Sequence, residues 1–180
     1  MRQAVAALAL VLGACTFGST PRADSARYDL GTVEGSRSGG ARIDVAAPVW
    51  LDTDAMEYRL AEDPARRRAF AASRWVAPPA ELLAGGLRRQ VGATGSCALK
   101  LQLDEFVQSF DSGGQSRAVV SLQAILLSGQ GRPIGHRTFY LEEAAGTDAK
   151  SAVTAYARLL RRLADGLNGW LDQTAVQCRG

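Results

Sequence analysis

Between Val153 and Leu171 the apolar residues Val153, Tyr156, Leu160, Leu163, Leu167 and Trp170 recur at alternating spacings of three and four, with Leu171 beside the last. That is the period of one face of an α-helix. Thr147 and Asp148 stand where such a helix is capped, and the pattern continues to about Thr174. A stripe this long must be covered. A partner helix or a coiled-coil seam would cover it, but the rest of the chain supplies a sheet, so packing on the chain's own core is the reading adopted.

The sheet is read from period-two patterns. Leu99, Leu101 and Leu103 alternate with Lys100, Gln102 and Asp104, after which the apolar set shifts to Phe106 and Phe110. A change of parity inside one strand predicts a bulge near Asp104 or Glu105. Asp111 to Gln115, with Gly113-Gly114, leads into a strand from about Arg117 to Leu127, and Gly129 to Gly135 leads into another from Arg137 to Glu142. These three strands are expected to form an antiparallel meander. Upstream, strands are expected at Ala26–Gly31, Arg42–Val45 and Met56–Leu60, with a Gly- and Ser-rich loop over Glu34–Gly40. Asp63–Ala71 carries Pro64, where a helix can begin, and Phe70–Trp75 reads as extended. The run Arg66-Arg67-Arg68 is read as a solvated face in preference to an anionic-lipid contact. Pro78-Pro79 opens a helix to about Gly92, with Leu83, Leu87 and Val91 along one side.

Composition removes several classes of function. With 180 residues and no internal repeat, one domain plus short extras is expected. A mean hydropathy of -0.06 excludes a polytopic membrane protein. The 21 basic and 18 acidic residues nearly balance at a net charge of +3, so no nucleic-acid partner is expected. His136 is the sole histidine, which leaves no His-pair metal site and only one position through which a Ser-His-Asp triad could run. Neither a nucleophile elbow nor a phosphate-binding glycine loop occurs. The carboxylate pairs Asp104-Glu105 and Glu142-Glu143 are neighbours in strands and are expected to point to opposite faces. No catalytic residue, cofactor or metal is therefore expected.

The N-terminus gives the clearest address. Arg2 precedes an apolar stretch from Ala4 to Leu12, too short to span a bilayer, and Leu12-Gly13-Ala14-Cys15 follows. This resembles the bacterial lipobox. Residues 1–14 are then a lipoprotein signal peptide and Cys15 the lipidated first residue of the mature chain, its thiolate accepting the diacylglycerol. Residues 15–26 form a flexible lipidated tether reaching roughly 18 Å, and 27–180 a single domain. Thr16 in place of an aspartate directs sorting to the outer membrane. Acylation of Cys15 leaves Cys97 and Cys178 as a pair in an oxidising periplasm, where a disulfide is expected. It would close a loop of about 81 residues and contribute roughly 4 kcal/mol.

Several segments in order carry a family resemblance. Tyr28-Asp29-Leu30-Gly31 follows the lipid site, then Trp50-Leu51-Asp52, Met56-Glu57-Tyr58-Arg59-Leu60, Ser73-Arg74-Trp75 and Pro78-Pro79-Ala80-Glu81-Leu82-Leu83. Leu103 to Asp111, Ser116 and a C-terminal helix ending in Trp170-Leu171 complete the set. Over nearly all its mature length the chain resembles the ABC-type transport auxiliary lipoprotein family of the paraquat-inducible protein C type. The resemblance implies an α/β, three-layer domain with a mixed, largely antiparallel sheet and two main packing helices. It also implies a non-enzymatic component beside an ABC transporter whose periplasmic substrate-binding partner, of the mammalian-cell-entry type, moves lipids across the envelope. Self-association is left open. An adaptor of another envelope assembly is the second reading, and a periplasmic hydrolase working through His136 the third. Because aromatics and Met are enriched at interfaces, Trp50, Met56, Tyr58 and Trp75 are candidates for a partner interface, with core packing as the competing role.

Overall fold

The computed structural model describes residues 25–31, 40–174 and 178. The signal segment, Cys15, most of the tether and nearly all of the Glu34–Gly40 loop lie outside the described residues.

The strands are β1 (Ala26–Tyr28), β2 (Ile43–Ala46), β3 (Ala55–Leu60), β4 (Asp63–Trp75), β5 (Ala98–Phe110), β6 (Ser116–Leu127) and β7 (Pro133–Ala145); the helices are α1 (Pro79–Gln90) and α2 (Ala149–Thr174). They form a mixed seven-stranded sheet in the order β1-β4-β3-β5-β6-β7, with β2 also on β5. The expected meander is present: β5 pairs antiparallel with β6, and β6 with β7. Its register shifts between Leu103 and Glu105, where the change of apolar parity placed a bulge. One edge of β5 is shared. Parallel β2 takes Leu99 to Gln102 and parallel β3 takes Gln108 to Phe110, so the connection from 47 to 54, with a 3-10 turn at Val49–Leu51, passes the interval between them.

One expectation changes. Asp63–Ala71 is not helical: β4 is one strand from Asp63 to Trp75, paired antiparallel with β3. Its alanines and arginines are good helix formers, but strand pairing overrides that preference, and Pro64 is tolerated because β4 has no partner on its other side except β1 at Ser73–Trp75. The mixed sheet and its two packing helices are as expected, and the two helices touch one another through Gly86 and Leu160. On β6 the even residues Ala118, Val120, Leu122, Ala124 and Leu126 are all buried, whereas Arg117 and Gln123 on the other parity are exposed.

The helices meet closely. Pro79 at the first helical position, Glu81 in the first turn and Arg88 and Arg89 in the last suit α1 to the peptide dipoles. A Cβ on Gly86 would collide with the Leu160 side chain of α2, so glycine permits the approach. Asn168 then closes the end of α1: its Nδ2 donates to the Gln90 carbonyl at 3.1 Å, and its Oδ1 accepts from the Gly92 N–H at 3.0 Å. At the start of α2 the Asp148 carboxylate accepts from the Ser151 N–H at 2.7 Å.

Cys97 and Cys178 are joined by a disulfide with Cα atoms 5.4 Å apart. The Ser96 N–H donates to the Cys178 carbonyl at 3.3 Å, which holds Cys178 beside the start of β5. Gly95 is required there, with φ +59° and no room for a Cβ against the Cys178 carbonyl.

Candidate partner-docking face

The sheet face away from the helices is closed by paired charges. Alternation along β3 directs Met56 and Tyr58 to the helix side and Glu57 and Arg59 to the open side. Glu105, after the bulge, lies in register with Ser121 and joins them on that open side. Arg67 of β4 reaches over both strands, donating to Glu57 Oε2 at 2.9 Å and Glu105 Oε1 at 2.5 Å. Arg59 donates to Glu105 Oε2 at 3.3 Å. The Trp50 ring completes the cluster, with the Arg67 guanidinium carbon 4.2 Å from its centroid.

A second group continues across the meander. The Tyr140 hydroxyl donates to Glu142 Oε1 at 2.5 Å, and Arg117 donates to Glu142 Oε2 at 3.0 Å. Gln123 donates to Asp104 at 3.1 Å, so Asp104 and Glu105 share the open face: the bulge between Leu103 and Glu105 cancels the alternation that predicted opposite faces for this pair. On the same side Val107 and Val119 are buried although no helix lies over them.

The four candidate interface residues do not come together. Met56 is 2% exposed and Trp75 1%, both inside the core cluster, because their strand parity turns them toward the helices. For these two the interface expectation is corrected to core packing. Tyr58 is half-buried in an aromatic group with Phe70 at 4.8 Å and Phe110 at 5.8 Å. Trp50, 50% exposed beside Val49 at 92%, is the member that the open face presents. Sequence reading missed Glu57, Arg59, Arg67 and Glu105 as a unit. The alternation of Glu57 and Arg59 with Met56 and Tyr58 was the available signal.

His136 is exposed on β7, and no hydrogen bond joins it to a nucleophile among the described residues. The described residues hold no cluster of His, Cys, Asp or Glu suited to a metal ion, and no described helix is long and apolar enough to cross a membrane.

Hydrogen bonding sets the titration of the rim. The Tyr140 hydroxyl, then Arg117, hold the Glu142 carboxyl below its ordinary value, while the same bond to Glu142 raises the Tyr140 hydroxyl. Arg158 and Arg162 depress Glu143, and the Ser151 N–H depresses Asp148. Since these carboxyls lie lower in the folded state than in the unfolded chain, their stabilisation is complete above the usual carboxylate value of about 4.3 and fades as pH falls through the depressed values. Urea midpoints measured against pH should therefore decline on the acid side. Tyr140→Phe, which removes the largest cause of the Glu142 shift, should make that decline shallower; an unchanged profile would contradict the assignment.

The class that this fold and face define is an α/β domain built around one mixed sheet, with helices on one side and a broad, ion-paired polar surface on the other. The chain belongs to the ABC-type transport auxiliary lipoprotein component family, which it matches over residues 43–168. Its fold is also that of a crystallised Xanthomonas campestris protein of the DUF330 family, at 18% identity and a TM-score of 0.62, covering 83% of this chain and 95% of that one. A second crystal structure, of an uncharacterized protein, aligns at 18% identity and a TM-score of 0.55 over 82% of this chain and 98% of that one. No curated protein matches the chain.

Proposed function

We propose that this protein is a non-enzymatic accessory of an ABC lipid transport system, held in the envelope by lipid on Cys15. Residues 1–14 are removed on export, residues 15–26 tether the domain, and Thr16 sends the mature protein to the outer membrane, facing the periplasm. The open sheet face around Trp50 docks the periplasmic substrate-binding component of the transporter, of the mammalian-cell-entry type, and fixes its end beside the bilayer. Tethering turns that docking into a local event at high effective concentration, so a modest contact suffices. The observation that carries this reading is family membership across the folded part of the chain.

Two variants test it. Cys15→Ser should move the protein from the membrane to the soluble fraction and abolish labelling by palmitate; retention of Cys15→Ser in the membrane, or an unlabelled wild type, would overturn the anchor. Trp50→Glu replaces the exposed ring with a carboxylate beside Arg67, and capture of the periplasmic component should weaken by about tenfold or more, the scale of an interface aromatic. Undiminished capture by a folded Trp50→Glu protein would remove the open face from the interaction.

A further inference from the structure

We propose that the outer surface of the two-helix layer rests against an anionic lipid surface, so that the domain stands on its helices and presents the sheet face away from the bilayer. The inference rests on the lipid-anchored reading above and adds the face by which the domain meets the membrane.

Charge separates the two faces. Six of the 21 basic residues but only three of the 18 acidic ones lie on α1 and α2, so the helices carry a surplus of three positive charges. On the open face Arg59, Arg67 and Arg117 are each closed onto a carboxylate, which leaves exposed Lys100 without an ion pair among the described residues. The helical layer leaves two arginines so. Arg158 and Arg162 pair with Glu143 and Arg88 donates to the Ile43 carbonyl, but exposed Arg89 and Arg161 have no ion-pair partner among the described residues. Arg89 lies one turn beyond Gly86 and Arg161 adjoins Leu160, the two residues through which the helices touch, so both flank one seam. The acidic residues of the layer are Glu81, Asp165 and Asp172.

The attachment point agrees. Nine residues separate Cys15 from residue 25, a span of at most about 35 Å. The chain then enters the sheet at β1, buries Leu30, and at Asp29–Gly31 lines a crevice whose other wall is α1, with Glu81, Gly85 and Arg89. The tether therefore joins the domain beside α1, with the helical layer within its reach. Each arginine near an anionic surface contributes about 1 kcal/mol, or roughly fivefold in partitioning, and the contribution falls off within a Debye length.

The test uses the full mature chain carrying Cys15→Ser, which cannot be held by its own lipid. It should cosediment with vesicles of phosphatidylethanolamine and phosphatidylglycerol at low salt, and not with neutral phosphatidylcholine vesicles. High salt should release it. Adding Arg89→Glu and Arg161→Glu should weaken binding by about tenfold or more, whereas Arg66→Glu, an exposed arginine on β4, should leave it unchanged. Absence of any preference for the anionic vesicles, or equal weakening by Arg66→Glu, overturns the proposal. Palmitate labelling of the wild type reports on the anchor separately, so a failed anchor and a failed helical contact give different results.

Discussion

Trp75→Ala is expected to lower the stability of the domain by about 3–5 kcal/mol, the range for deleting a buried aromatic. Trp75 is 1% exposed at the end of β4, edge-on to Phe106 of β5 at 5.6 Å and to Tyr156 of α2 at 5.5 Å. Phe106 and Tyr156 are themselves stacked at 4.1 Å with planes 8° apart. Three elements distant in sequence thus share one aromatic group, and truncating Trp75 leaves a cavity that none of them can fill without moving. Because 3–5 kcal/mol is a large part of the stability of an ordinary domain, much of the protein should be unfolded or lost to proteolysis at growth temperature. Urea denaturation of wild type and variant checks this. A cost below about 1 kcal/mol would mean that the site collapses around the deletion.

Removing the disulfide is the second large effect. Cys97→Ala with Cys178→Ala should cost about 2–5 kcal/mol, because an 81-residue separation is closed by a single covalent link and the unfolded chain regains that freedom. The loss should appear as a lower urea midpoint, and a reductant should bring wild type to the same value. If oxidised and reduced protein unfold at one midpoint, the contacts around Gly95 and Ser96 already hold the C-terminal segment and the bond adds nothing.

Local periodicity explains why much of this fold was legible. The stripe of α2, the alternation of β5 and its parity change each reflect side-chain direction within one element, so they could be read without knowing any neighbour. β4 could not. Its Ala- and Arg-rich sequence favours a helix locally, and only pairing with β3 makes it extended. The placement of both helices on one face depended on Gly86 meeting Leu160, a contact across 74 positions with no local signature. The charge network was hidden for the same reason: Arg67 and Glu105 are 38 residues apart, Arg59 and Glu105 46. Composition drew attention to Trp50, Met56, Tyr58 and Trp75 together, but strand parity divides them between interior and surface.

The 3-10 turn between β2 and β3 has a mechanical consequence. Trp50 stands half in solvent while its neighbour Leu51 is 1% exposed within the core, so adjacent side chains act like the head and shank of a rivet. A load applied to the indole passes along one peptide unit to Leu51 and is borne by the hydrophobic interior, not by a loose loop.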